Sequence, residues 1–157
     1  MMKNSSPTAL NKRGIKVSFD GYKFDSQKEY LFYSKFVKDS GYKFDVHPAY
    51  ELVATTPIEQ AKIGSARYTP DFVIYDNEGK IKHVYDVKNS LTVYGIDASA
   101  KLRFRLFAAK YGIPVEAVVV RANDFKTIAQ CVTKPLNEKQ PLIKKDFNYN
   151  WLEATNY

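Results

Sequence analysis

At 157 residues and 45% apolar content the chain is long enough for one domain with its own core. Its 24 Lys+Arg against 17 Asp+Glu, a net charge of +7 and a pI near 9.3 point to a polyanionic partner. Nucleic acid ranks ahead of a membrane, because no long apolar run or amphipathic basic helix is present. The single cysteine, Cys131, excludes an intramolecular disulfide framework and a cysteine-rich zinc site.

The first 14 residues are polar and basic and lack the apolar stretch of a signal peptide, so the expectation is a mobile N-terminus on a cytoplasmic protein. Asp20-Gly21 is a strong turn dipeptide and predicts a small hairpin over residues 17–24. Residues 26–39 carry apolar side chains at Tyr30, Leu31, Tyr33, Phe36 and Val37 and stop before Gly41, the pattern of an amphipathic helix. Glu29 in its first turn has two readings. Ser26-x-x-Glu29 is a capping box, in which both side chains satisfy free backbone N–H groups. Alternatively, Glu29 faces the core and adds a third acidic group to the hairpin described below.

Residues 42–47 and 50–54 read as strands interrupted by Pro48. The pentapeptide GYKFD occurs at Gly21 and Gly41 in different contexts and is treated as chance rather than as a repeat. Residues 55–66 read as a polar loop. Asp97 is a good N-cap for a helix over residues 98–111, closed by Gly112 and Pro114, with Leu102, Leu106 and Ala109 as its apolar stripe. Its Lys101 and Arg105 are four apart on one side, a basic face that is either simply solvated or placed to hold phosphates. Residues 115–121 suit a buried strand after a crossover helix. Residues 124–132 read as a last helix with Cys131 as a buried, inert thiol. Residues 134–157 read as a tail whose Trp151 and Leu152 dock on the domain or on a partner. The folded domain is therefore expected over residues 15–133, between the N-terminal segment 1–14 and the C-terminal tail 134–157. Most of the 12 Tyr and 10 Phe are expected in the core, although aromatics can also stack on exposed bases.

Residues 67–88 organise the rest. Two apolar runs, 72–75 and 81–87, flank the turn cluster Asp76-Asn77-Glu78-Gly79, which predicts a hairpin. If Tyr75 pairs with Lys80, Asp71 falls opposite Val84, and Asp86 lies two residues on along the same face. The two carboxylates are then ~7 to 8 Å apart at Cα, within reach of one cation. Lys88 follows Asp86 by two residues and points the same way. Each has a plainer role: Asp71 as turn chemistry after Pro70, Asp86 and Lys88 as an exposed ion pair. Together at one hairpin mouth, they make a hard oxygen-lined site suited to Mg²⁺ or Mn²⁺. With a lysine beside it, that site fits hydrolysis of a phosphodiester.

Pro70-Asp71 followed by Asp86-Val87-Lys88 resembles the PD-(D/E)XK signature of the restriction-endonuclease-like nuclease superfamily, with Asp86 where Glu is commoner. Across residues 24–121 the order of elements is similar to that superfamily's αβββαβ core. The Tyr68-Thr69-Pro70-Asp71-Phe72 wording is similar to small phage-encoded endonucleases, including Holliday-junction resolvases, and to end-cutting nuclease subunits of some transposons. The resemblance implies an α/β fold with a mixed central sheet flanked by helices. It implies Glu29, Asp71, Asp86 and the backbone carbonyl of Val87 as ligands of Mg²⁺ or Mn²⁺, and Lys88 as the catalytic lysine. DNA is the implied substrate, branched or junction DNA first, gripped by Lys101, Arg105 and Arg67. A homodimer is expected if two strands are cut together. The rival expectations are a transposition nuclease that works with a partner transposase, reached through the C-terminal tail, and a non-catalytic nucleic-acid-binding module on the same fold. For a phage-encoded protein the expected location is the host cytoplasm.

Overall fold

A six-stranded mixed sheet with a helical element packed on each face carries the chain in the computed structural model, which describes residues 16–155. The expected mobile N-terminus, residues 1–14, lies outside the described residues. β1 (Val17–Phe19) and β2 (Tyr22–Phe24) form the expected hairpin. Asp20 (φ 52°) and Gly21 (φ 80°) are both left-handed, the geometry that matches strand twist in a two-residue turn. α1 (Gln27–Phe32) starts at Ser26, whose hydroxyl accepts the Glu29 N–H at 3.2 Å. It continues as a π turn over Tyr33–Val37, closed by the Lys38 N–H donating to the Tyr33 carbonyl at 2.9 Å. Because a π turn closes i to i+5, Phe32 and Val37 share the inner face, and both are fully buried.

β3 (Phe44–Val46) is followed by a projecting arm. β4 (Tyr50–Val53) pairs with β7 (Ala66–Tyr68), and β5 (Thr56–Ile58) pairs with β6 (Ala61–Ile63) between them. The predicted polar loop over residues 55–66 is therefore a β-hairpin. Every residue from 53 to 67 is exposed, so no buried face imposes the apolar alternation by which a strand is recognised.

β8 (Phe72–Tyr75) and β9 (Ile81–Val87) form the central hairpin. α2 (Ala98–Tyr111) crosses over, capped by the Asp97 carboxylate at the Ala100 N–H (2.7 Å) and ended by Gly112 at φ 74°. β10 (Glu116–Val120) then lies parallel to β9, as the crossover predicts. β11 (Phe125–Ala129) returns antiparallel to β10, and β12 (Leu142–Lys144) adds the far edge, giving the order β12-β11-β10-β9-β8-β3.

Alternation along the central strands divides the core. Phe72, Ile74 and Tyr85 face α1 with Phe32, Val37, Phe125 and Phe147. Val73 and Val84 face α2 with Phe104, Phe107 and Ala117. Phe32 is the hub of the first cluster, its ring 5.3 to 6.0 Å from those of Tyr85, Phe125, Phe72, Phe36 and Phe147.

Three further expectations are corrected. Residues 124–132 are not a helix, because the Arg121 guanidinium and the Asp124 carboxylate close a tight turn and β11 pairs along its whole length with β10. Four of its five residues are buried on both faces, and so short an apolar run has no period that separates strand from helix. Cys131 is accordingly exposed after the strand, at φ 62°. On α2 the inner face is Ala100, Phe104 and Phe107, while Leu102 is 53% and Leu106 37% exposed. The aromatic rings take the core because they bury more area and pack edge-on against Tyr68, at 5.7 and 5.6 Å.

The segment after residue 133 supplies β12 and plants Phe147 and Tyr149 in the core, and Trp151 packs against the α2 cluster. A buried polar chain holds it there. His83 Nε2 faces the Phe147 carbonyl at 3.0 Å and must donate to it, while Nδ1 lies 2.5 Å from Glu116 Oε2. Glu116 Oε1 accepts from the hydroxyls of Thr127 (3.0 Å) and Tyr149 (2.6 Å). The Tyr149 oxygen in turn accepts from Tyr85 at 2.6 Å. All five side chains are at most 4% exposed, and each has its partners, as buried polar groups require.

Candidate functional site

The central hairpin differs in register from the expected pairing. Tyr75 pairs with Ile81, a bulge follows, and Phe72 pairs with Tyr85. Asp71 follows directly after this paired stretch, beside Asp86 rather than opposite Val84, which pairs with Val73, and its N–H donates to the Tyr85 carbonyl at 3.0 Å. The net shift from the expected register is two residues, and because side chains alternate with period two, such a shift leaves both carboxylates on the same face.

Each carboxylate at this mouth is held by the backbone or by a neighbour. Asp71 Oδ2 accepts the Val87 N–H at 2.7 Å. Asp86 Oδ2 accepts the Tyr68 hydroxyl at 2.7 Å, and Asp86 Oδ1 is 3.0 Å from Lys88 Nζ. Lys88 is fixed at its backbone by donation to the Val118 carbonyl at 2.8 Å, and its ammonium lies 5.8 Å from the Phe104 ring centre.

Glu29 arrives from the α1 side of the sheet. Its N–H is capped by Ser26, but its carboxylate does not fold back to complete a capping box. It extends to His47, with Oε1 2.7 Å from Nε2. The same nitrogen is 3.7 Å from Asp71 Oδ1 and 3.8 Å from Asp25 Oδ2. His47 follows β3, donates its N–H to the Asp71 carbonyl at 3.0 Å and sits at φ 52°, in the left-handed region that few non-glycine residues occupy. Its contacts with Asp71 hold it in that conformation.

The electrostatics follow from crowding. Burial pushes the Asp71 carboxyl well above the usual range, and the charges of Asp86 and Glu29 push it the same way, against the Val87 N–H and Lys88. The hydrogen bond to Glu29 raises His47, outweighing its partial burial, with the Glu29, Asp25 and Asp86 charges adding to the rise. Burial first, and the Asp86 charge second, raise Tyr68 well above its ordinary value, so it remains a hydrogen-bond donor. Confined carboxylates of this kind are relieved by a cation, and oxygen donors on Glu29, Asp71 and Asp86 suit a hard divalent ion. Among the described residues the ligand atoms that converge within 4.8 Å of one another are those of Asp25, Glu29 and His47, a group that could hold a metal ion.

Glu29, Asp71, Asp86 and Lys88 thus form one connected network at one end of the sheet, with His47 as the link between the helix and the hairpin. Sequence reasoning missed three members: His47, Asp25 and Tyr68. Their only signals were local, a histidine before Pro48, an acid beside the N-cap, and a tyrosine three residues before Asp71. Of the residues expected to grip a polyanion, Arg105 is exposed and Lys101 half-buried on α2, and Arg67 is exposed beside Tyr68 on β7. A concavity of about 550 Å³ opens at the other end of the hairpin, lined by Asp76, Lys80, Tyr111 and Trp151, and holds none of the network. No helix among the described residues is long and apolar enough to cross a membrane.

Residues 11–127 match the model of a family described as "Protein of unknown function (DUF1064)", and the chain belongs to that family. The matched span contains the whole network from Asp25 to Lys88 and all of α2, and ends within β11. No curated protein and no solved structure matches the chain.

Proposed function

We propose that this member of the DUF1064 family is a metal-dependent nuclease that hydrolyses phosphodiester bonds in DNA. The observation that carries the reading is the gathering of Asp71 and Asp86 at the hairpin mouth, with Lys88 in contact with Asp86 and Glu29 joined to Asp71 through His47. The order of elements supports it: α1, three antiparallel strands β3-β8-β9, the crossover α2, and β10 parallel to β9. That order resembles the restriction-endonuclease-like core, with the β4–β7 arm inserted after its first strand.

Glu29, Asp71, Asp86 and the Val87 carbonyl would hold a divalent cation, which when bound polarises a phosphoryl oxygen and acidifies a coordinated water. The residues supply the rest. Tyr68 fixes the rotamer of Asp86, and the Val87 N–H fixes that of Asp71, so neither carboxylate needs to reorganise. Lys88 presents a positive charge on the same face, where it stabilises the negative charge that develops on the phosphoryl oxygens. Arg67, Lys101 and Arg105 contact backbone phosphates, and the +7 charge draws a polyanion to the surface. Branched or junction DNA is the substrate favoured by the resemblance, with a homodimer cutting two strands.

The test is incubation with supercoiled plasmid and with a synthetic four-way junction, in Mg²⁺ or EDTA. Metal-dependent cutting of the junction supports the full reading, and cutting of plain duplex supports a general nuclease. No cutting of either, in Mg²⁺ or Mn²⁺, sinks it.

A further inference from the structure

The arrangement around His47 Nε2 is more than one ion pair needs. Glu29 alone, at 2.7 Å, is a sufficient partner for an imidazolium, yet Asp71 Oδ1 and Asp25 Oδ2 also stand 3.7 and 3.8 Å from the same atom. The ligand atoms of Asp25, Glu29 and His47 all lie within 4.8 Å of one another. In an octahedral shell with bonds of ~2.1 Å, neighbouring ligand atoms are about 3.0 Å apart and opposite ones about 4.2 Å. The separations from Nε2, 2.7 to 3.8 Å, lie close to those spacings, so side-chain rotations can bring these atoms onto one ion.

We propose that His47 Nε2, with Glu29 and Asp25, forms a nitrogen-bearing divalent-cation subsite beside Asp71, and that this nitrogen makes the protein select Mn²⁺ over Mg²⁺. The inference rests on the reading of the network as a metal site, but not on DNA cleavage. Its chemistry is that of ligand preference: carboxylate and carbonyl oxygens suit Mg²⁺, whereas an imidazole adds a donor that Mg²⁺ uses poorly and transition-metal ions use well. On binding, Nε2 offers its lone pair to the metal and any proton it carries passes to water. The backbone supports this role. The His47 main-chain N–H donates to the Asp71 carbonyl at 3.0 Å, which fixes the two backbones beside each other.

The experiment uses the full chain without DNA. Mn²⁺ binding is followed by electron paramagnetic resonance of the free ion, and Mg²⁺ binding by competition. The expected result is Mn²⁺ binding at least about tenfold tighter than Mg²⁺, with ¹⁴N modulation in the electron spin-echo spectrum of the bound ion. In His47→Ala the discrimination falls to about threefold or less, and the nitrogen modulation disappears. An unchanged Mn²⁺ to Mg²⁺ ratio in His47→Ala, or no nitrogen signal from Mn²⁺ on the unsubstituted protein, overturns the proposal. The second measurement needs no variant and so stands even where His47→Ala does not fold. Cleavage with no nitrogen signal would defeat this inference alone, and a nitrogen signal with no cleavage would defeat the nuclease reading alone.

Discussion

Tyr68 donates its hydroxyl to Asp86 Oδ2 at 2.7 Å. It stands at the base of the exposed arm, and its ring packs against Phe104 and Phe107 of α2, so the arm, the crossover helix and the acidic strand meet at one side chain. Tyr68→Phe keeps that packing and removes only the hydroxyl. Leaving one oxygen of a nearly buried carboxylate without its donor costs about 1–3 kcal/mol of stability. Losing the orientation of a ligand costs about 10- to 100-fold in metal affinity or activity. Thermal unfolding and metal titration of the same sample check both.

Lys88→Met retains the aliphatic stem over Phe104 and removes the charge. Cleavage of a DNA substrate falls by at least about 100-fold, the scale of removing one preorganised stabiliser of developing charge. Metal binding persists or strengthens, because a cation no longer competes with the ammonium for Asp86. Equal loss of binding and cleavage would mean that Lys88 serves only to hold Asp86.

The metal-free protein loses stability as pH rises above the ordinary carboxylate value of ~3.9 and further above the ordinary imidazole value of ~6.5. Asp71 has a raised carboxyl, so above the ordinary carboxylate value of ~3.9 the folded state keeps a proton that the unfolded chain releases, and stability falls with pH through its folded value. His47 is also raised: its contribution is complete below ~6.5 and is lost as pH rises through its folded value. Asp20 and Asp124 are lowered, and their opposite contribution is already complete above the ordinary carboxylate range. Urea unfolding at constant ionic strength measures the slope, and Asp71→Asn flattens it. Saturating Mg²⁺ or Mn²⁺ opposes it, since ligand binding to the folded state adds stability. A metal-free stability that is flat or rises across this range contradicts the electrostatic account.

Glu116 is fully buried and carries three hydrogen-bond partners at once. Glu116→Ala strands His83, Thr127 and Tyr149 together and costs at least about 3 kcal/mol, at about 1–3 kcal/mol for each buried polar group left without its partner. The C-terminal segment loosens first, because His83 and Tyr149 are what fix Phe147 and the turn after it. Hydrogen exchange localises the loss.

The parts of this fold that local chemistry dictates were legible in the sequence. Asp20-Gly21 marked its hairpin, and Asp97 and Gly112 bounded α2 to the residue. Asp71, Asp86 and Lys88 were placed on one face because strand periodicity does not depend on register to within two residues. What was not legible depended on tertiary partners. The bulge between Ile74 and Tyr75, which shifts the hairpin register, has no signal in the turn residues. Phe104 and Phe107 displaced Leu102 and Leu106 from the core because of Tyr68, a residue thirty-odd positions away. β11 and the arm lacked a one-sided burial pattern, one for being covered on both faces and the other on neither. The route from Glu29 to the hairpin runs through His47, which no local pattern connects to either.

The most direct measurement is cleavage of a labelled four-way junction by the intact chain and by Asp86→Asn, with Mg²⁺, with Mn²⁺ and with EDTA. The account predicts metal-dependent product from the intact chain, none in EDTA, and a loss of at least about 1000-fold in Asp86→Asn, which retains the native fold. Cleavage that survives Asp86→Asn or EDTA, or a folded, metal-loaded chain that leaves the junction and duplex DNA uncut, would contradict it.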